Sequence, residues 1–297
     1  MQKRSMSRQM TSVPRGVGLD SAAQRYAQLL ADPCNGPLVS GPFGDGAGGI
    51  ISRFEWDGVL GTGATDLGLV FGFIPAVVTS VFNAAPITSD TANVGGGLGL
   101  SPGQAYLTAN AQAARCLSAC IQVYYPGAEL SRSGVVGIGQ VDARVFNYAT
   151  EFLQPAAVRT AVQNVERMPE TYVEAIWRPN SFDLTYGTPG DFSSISKQSA
   201  LAVSVFGTPV SVGTRIRMVA VYEWLPKNTN GLTNPIKSGN PSRNTLTDVL
   251  QYLDKFGNWM YRSAGSAASA ASSIYRGASA VGRMAYGVSK YAALMAG

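Results

Sequence analysis

The chain has 297 residues, 45% of them hydrophobic and 14% charged, enough to bury a core in one large domain or two small ones. It contains no histidine, the usual general base of nucleophilic triads and the commonest metal ligand, which argues against most hydrolase mechanisms. The net charge of +5 sits at the ends. Residues 1–18 carry Lys3, Arg4, Arg8 and Arg15 without an acid, residues 255–297 carry Lys255, Arg262, Arg276, Arg283 and Lys290 without an acid, and the body between is left at −4.

A weakly acidic body with basic ends implies that the termini meet a polyanion, either nucleic acid or an anionic membrane. The 34 glycines and 16 prolines favour short strands joined by many turns, hence an all-β sandwich. The three cysteines, Cys34, Cys116 and Cys120, are too few for a disulfide framework and read as packed thiols in a reducing compartment. On one strand, Cys116 and Cys120 would stand roughly 13 Å apart, beyond the ~7 Å limit for a bridge. Without histidine, a four-ligand zinc site would have to recruit a carboxylate, an uncommon arrangement; no metal or cofactor is expected. Scattered acids such as Asp57 and Asp66 leave only a shared calcium ion to consider. The glycine runs 44–49 and 95–99 match neither a phosphate loop nor a dinucleotide fingerprint and read as loops. No apolar run follows the basic N-terminus, so no secretory signal is expected.

In chain order, Asp20 and Ser21 cap a short helix whose apolar face is Ala22, Tyr26, Leu29 and Leu30, and Asp32-Pro33 ends it. A Gly/Pro loop leads to strand-like runs at 50–60 and 67–82. Residues 84–103 read as a loop and 104–113 as a short helix. Next comes a strand with Leu117, Ala119, Ile121, Val123 and Tyr125 on one face and Ser118, Gln122 and Tyr124 on the other, turned by Pro126-Gly127. Residues 135–141, 172–177 and 201–206 are further strands. The clearest strand is 214–225, where Ile216, Met218, Ala220, Tyr222 and Trp224 face one way and Arg215, Arg217 and Glu223 the other; Val219 and Val221 on the second face imply cover on both sides. About eight strands lie between residues 50 and 226, the number an eight-stranded jelly-roll β-sandwich needs. Residues 226–244 read as an extended linker and 245–256 as a short helix, so the chain divides into an arm (1–18), a sandwich (19–226), a linker with a short helix (227–258) and a tail (259–297).

Several segments together resemble the coat proteins of nodaviruses and the wider noda-like and tombus-like group of small icosahedral RNA viruses. Arg115-Cys116-Leu117-Ser118-Ala119, continued through Tyr125-Pro126-Gly127, Glu129-Leu130 and Arg132-Ser133-Gly134, resembles their strand, polar turn and return strand. Residues 219–226, reading VAVYEWLP, resemble the closing strand, and Asp32-Pro33 before a Gly/Pro loop resembles the entry into the shell domain. The resemblance implies a capsid protein of a virion, assembled from copies of itself in the host cytoplasm around single-stranded RNA, with a receptor it does not identify. It also implies a single self-cleavage after Asn258, before Trp259-Met260-Tyr261-Arg262, assisted by Asp32 in the segment like the family's catalytic acid; otherwise no enzyme is expected. Two departures stand out. The arm has four cations where the family has dense arginine tracts, and no separate protruding domain fits, which leaves residues 84–103 and 144–200 as surface projections. A second reading is a jelly-roll binding module, for carbohydrate for instance, whose tail only oligomerises.

The tail carries the clearest local pattern. Ile274, Val281, Val288 and Met295 recur every seven residues, with Met284 and Tyr291 in the intervening apolar position. Arg276, Arg283 and Lys290 follow two residues behind, ~200° around a helix, nearly opposite the apolar stripe. Such an amphipathic helix lies in a membrane interface and disrupts it, while its cations, with Arg262 and those of the arm, suit RNA backbone contact.

Overall fold

The computed structural model describes residues 18–41, 49–60, 68–75, 81–87, 94–95, 97–143, 146–147, 152–153, 155–162, 164–180, 183–189, 198–209, 212–227 and 244–264. In chain order the elements are α1 (Ser21–Ala31), β1 (Ile50–Leu60), β2 (Gly68–Phe73), β3 (Val81–Ile87), β4 (Val94–Gly95), β5 (Gly97–Leu100), α2 (Gln104–Asn110) and β6 (Ala111–Tyr124). There follow β7 (Val135–Asp142), β8 (Phe146–Asn147), β9 (Phe152–Leu153), α3 (Pro155–Ala161), β10 (Asn164–Arg167), β11 (Val173–Trp177), β12 (Ser199–Phe206), β13 (Thr214–Pro226) and α4 (Leu246–Ala264).

The strands form one sheet in the order β1-β13-β6-β11 and a second in the order β10-β7-β12-β2-β3-β5. All the pairings in both are antiparallel. The first sheet and the β10-β7-β12-β2 part of the second supply the eight strands of a jelly roll, and β3 and β5 widen the second sheet at one edge. The expected fold is borne out. The core lies between the sheets, where Phe71, Phe73, Ile138, Leu201 and Val203 of the second sheet meet Ile121, Trp177, Met218, Tyr222 and Trp224 of the first. Each of these large side chains contributes about 1.5–3 kcal/mol by leaving water. Hydrogen bonds cross the sandwich, among them Tyr222 Oη donating to the Pro75 carbonyl (3.1 Å) and Trp177 Nε1 donating to Ser199 Oγ (2.9 Å).

Both outer faces are covered in part. Val158 and Val162, in and just after α3, pack on Val70, Ala200 and Ala202 of the second sheet. On the first sheet, α1 and α4 pack together over Leu117 and Val221. Asp20 caps α1 by accepting from the Ala23 N–H (2.8 Å), and the helix buries Ala23, Tyr26, Ala27, Leu29 and Leu30. Thr245 and Asp248 close a reciprocal capping box at the start of α4: the Thr245 N–H donates to Asp248 Oδ2 (2.7 Å) and the Asp248 N–H to Thr245 Oγ1 (3.2 Å). Asn244 clasps the two helix starts, accepting from the Asp20 N–H (2.9 Å) and donating to the Gly18 carbonyl (3.2 Å).

Several local expectations are corrected. Helix α2 ends at Asn110 rather than near Ala113, because Ala111 to Ala114 already pair with the end of β13. The run 67–82 is two strands, and residues 84–103, expected as a projecting loop, contain the end of β3 with β4 and β5. The other expected projection, 144–200, contributes β8 and β9, which with β4 form a small third sheet in the order β4-β9-β8, as well as α3, β10, β11 and the start of β12. Helix α4 runs on past 256 to Ala264. Leu117 lies on the outer face, not beside Ala119. The register shifts so that Val221 pairs with Ser118 but Tyr222 with Cys116, and the bulge turns Leu117 and Ser118 outward together.

Cys34 and Cys120 are not packed thiols but a disulfide with Cα atoms 6.0 Å apart, joining the turn after α1 to β6; Cys116 is the buried free thiol. The outward pointing of Cys120 puts it within reach of that turn, whose position no local pattern in the chain reveals.

Tyr26, fully buried, donates through its hydroxyl to the carbonyl of the bulged Leu117 (3.0 Å), and burial pushes its own ionisation far up. Tyr26→Phe is expected to destabilise the fold by about 1–2 kcal/mol, since it strands a buried acceptor. Urea unfolding measures this; an unchanged midpoint would mean that the bulge does not depend on the helix.

Candidate functional site

The outward face of the first sheet changes character along its strands. At one end Arg115 and Glu223 form an ion pair with only 5% and 1% of their side chains exposed. Arg115 donates through Nε (2.9 Å) and Nη2 (2.7 Å) to Glu223 Oε2, while Glu223 Oε1 accepts from the Gly49 N–H (3.1 Å). Arg115 Nη1 donates to the Leu184 carbonyl (3.2 Å), and the guanidinium lies 4.4 Å from the centre of the Tyr186 ring. Only glycine fits at 49, where a Cβ would stand 2.8 Å from the Trp224 carbonyl oxygen and 2.9 Å from Glu223 Cγ.

The loop that covers this pair holds its own buried acid. Asp183 is 2% exposed; its Oδ2 accepts from the Asn180 N–H (2.8 Å) and Ser199 Oγ (3.4 Å), and its Oδ1 has no partner among the described residues. Burial lifts its carboxyl to about 6, against the lowering effect of those hydrogen bonds.

At the other end of the sheet the face is a ladder of exposed charges. Arg215 grips Asp57 with both oxygens (2.9 and 2.5 Å), and Arg217 likewise grips Glu55 and reaches Gln122 Oε1 (3.1 Å). Gln122 continues the row to Glu174 through Nε2 (3.0 Å). Hydrogen bonding by the arginines holds the Glu55 and Asp57 carboxyls below their ordinary values. Asp57 is therefore committed to Arg215 rather than offered to a calcium ion, and Asp66 lies outside the described residues. Arg53, Arg215 and Arg217 balance Glu55, Asp57 and Glu174, so this face is no cationic groove.

Asp32 is the C-cap of α1, and its Oδ1 accepts from the Asn35 N–H (3.0 Å) and Nδ2 (3.2 Å). Asn258 lies in α4, which continues unbroken through Trp259 and Arg262 to Ala264; the side chains of these three residues are outside the described ones. Ser118 Oγ donates to the Leu29 carbonyl (3.4 Å), and Asp254 pairs with Arg178 (3.0 Å), the residue after the Trp177 that pairs with Ala119. Both helices start from the Asn244 clasp. The other expected residues, Lys3, Arg4, Arg8, Arg15, Ile274, Arg276, Val281, Arg283, Met284, Val288, Lys290, Tyr291 and Met295, lie outside the described residues.

No family model matches the chain, and no curated protein matches its sequence. Solved structures do. The chain is similar to a structure of infectious bursal disease virus, Gt strain, with 9% identity, a TM-score of 0.56 and coverage of 77% of this chain and 94% of that one. It is also similar to the T13 viral particle of the same virus (10% identity, TM-score 0.53, 79% and 91%) and to its derived T=1 particles (9%, 0.51, 80% and 91%). The likeness establishes the fold. It extends over nearly the full length of proteins whose structures were solved as virus particles, although none of these three comes from the nodavirus or tombusvirus groups.

The buried Asp183 makes stability depend on pH. Between its folded value of about 6 and the ordinary aspartate value, the folded chain holds a proton that the unfolded chain lacks. Stability therefore rises as pH falls through 6, and the cost of the buried charge is present above it. Asp183→Asn is expected to raise stability at pH 8 by up to about 3 kcal/mol and to flatten the dependence between about pH 4 and 6. Urea unfolding at pH 5 and pH 8 checks this; a variant with the parent's slope would assign the titration elsewhere.

Proposed function

We propose that the chain is the capsid protein of a small non-enveloped virus, assembling into a closed shell around single-stranded RNA. The observation that carries this reading is the jelly roll shared over almost the whole length of proteins that build virus particles. The narrower kinship with nodavirus coat proteins, stated on sequence segments, belongs to the same proposal. So does the division of charge. The ladder on the outward sheet face is self-neutralising, which leaves the basic ends, through Lys3, Arg4, Arg8 and Arg15 and the tail cations Arg262, Arg276, Arg283 and Lys290, to meet the RNA backbone.

The tail adds entry. The stripe of Ile274, Val281, Met284, Val288, Tyr291 and Met295 against regularly spaced cations favours a helix that first lies in a membrane interface and then disrupts it. Release of that tail by scission after Asn258 completes the reading: the Asn258 side-chain amide attacks its own carbonyl carbon, the peptide bond to Trp259 breaks, and the Trp259 nitrogen takes the proton that Asp32 helps to transfer. The packing of α1 against α4, which start from one clasp, supports this role.

Purified full-length protein is expected to sediment as a megadalton particle with nucleic-acid absorbance. Removing residues 2–15 should lower the packaged RNA, since four cations supply a salt slope of about 3 at ~0.7 per phosphate. A species of one or a few chains without nucleic acid would instead favour the jelly-roll binding module. Intact mass of aged particles tests the scission, and a single full-length species would overturn it.

A synthetic 259–297 peptide should release dye from liposomes, and replacing Val281 and Val288 by Asp should abolish release. A variant that leaks as well as the parent would overturn the amphipathic mechanism.

A further inference from the structure

The disulfide Cys34–Cys120 has a third neighbour that a disulfide does not require. A carboxylate oxygen of Glu174 and the two sulfurs all lie within 4.8 Å of one another. The three residues come from three elements: Cys34 from the turn after α1, Cys120 from β6 and Glu174 from edge strand β11. Glu174 pairs with Gln122 across the sheet, and Cys120 stands two residues along β6 on the same outward face. That diagonal is ~7–8 Å between backbones, a gap that a glutamate can span. Val219 packs against the two sulfurs, and both cysteines are buried, at 2% and 0% exposure.

We propose that, when Cys34 and Cys120 are reduced, they and Glu174 form a site for a divalent zinc-like ion. Two thiolates and one carboxylate select a borderline-soft ion such as Zn²⁺ over Ca²⁺ or Mg²⁺, which prefer all-oxygen sets. Ligand bonds of about 2.3 Å to sulfur and 2.0–2.2 Å to oxygen place three donors around one tetrahedral ion within a spread of the observed size. The fourth position is left to water. Binding displaces the two thiol protons, and the ion takes over the cross-link that ties the turn after α1 to the sheet. Oxidation reverses the exchange: the two thiolates give two electrons to a small disulfide such as oxidised glutathione, which takes up two protons and leaves as two thiols, while the ion is released. Cys116 takes no part, because it points into the sandwich core and burial pushes its thiol well up. The inference stands on these side chains alone and holds whether or not the chain assembles.

The test uses full-length protein, reduced and then freed of reductant, titrated with Co²⁺ and with Zn²⁺. One ion per chain is expected, with a thiolate-to-cobalt charge-transfer band, and Cys116→Ser should bind like the parent. Cys34→Ser should lose the band. Glu174→Gln should weaken binding at least about tenfold, and because the oxidised variant keeps the disulfide, its unfolding midpoint against the oxidised parent reports separately on folding. Uptake of no ion by the reduced parent, or equal affinity in Glu174→Gln with an unchanged midpoint, would overturn the proposal.

Discussion

Glu223 lies near the end of β13, fully buried, and its charge must be met where it sits. Moving a carboxylate and a guanidinium out of water costs several kcal/mol for each, and the mutual attraction offsets this only if the remaining donors and acceptors are also satisfied. Here they are: the Gly49 N–H, the Leu184 carbonyl and the Tyr186 ring surround the Arg115 pair. One interaction thereby fixes where the chain enters β1, how β6 and β13 align, and where the loop after β11 closes. Register in a sheet covered on both faces is otherwise set only by side-chain shape, so a charge with a single acceptable partner removes the neighbouring registers. The shift that turns Leu117 outward begins one residue beyond this pair, at Cys116 opposite Tyr222.

The position of the helices follows from the same strand. The outward residues of β13 run from Arg215 and Arg217 through Val219 and Val221 to Glu223, and only the apolar middle needs cover. Val219 lies under the Cys34–Cys120 bridge, and Val221 lies under α1. Arg53, at the margin, donates to the Gly36 carbonyl just beyond the bridge, and its desolvated guanidinium is pushed below the ordinary value. Helix α4 then covers the side of α1 that the sheet does not reach, through Val249 and Leu253.

What the sequence made legible was what depends on period and on local chemistry. The alternation of 214–225, the Asp20 cap, the Asp32-Pro33 stop and the number of sandwich strands could all be read from neighbours in the chain. The misread features rest on partners far away. A bulge looks like a broken alternation until its partner strand is known, and Cys34 and Cys120 are 86 residues apart. The alternation puts Glu223 on the second face of its strand but supplies no partner for it, because Arg115, 108 positions earlier, has no local relation to it. The short strands β4, β8 and β9 have two residues each, too few for any periodic signal. For the candidate site, Asp32 and Asn258 were read as a pair only through a resemblance; the clasp at Asn244, which brings their helices together, joins positions 224 and 226 residues apart.

The pairing of every sheet arginine named here with an acid, a carbonyl or an aromatic ring has a consequence for how such a chain could hold a polyanion. Breaking the Asp57–Arg215 or Glu55–Arg217 contacts to free a cation would expose an acid beside it, so a phosphate approaching the ladder would gain little. Residues 1–18 and 255–297 carry their cations without an acid in either segment, and phosphate contact there displaces only water and counterions. On the proposed capsid reading, attraction to nucleic acid is thus separated in the chain from the packing that makes the sandwich. The jelly roll keeps its register through internal ion pairs at any salt concentration that leaves them buried, whereas the proposed binding through the ends would weaken steeply as salt rises. The shell proposed for this chain would need that separation, because the surfaces that join copies to one another must stay matched while the charge that would hold a genome is spent on a flexible, sequence-independent target.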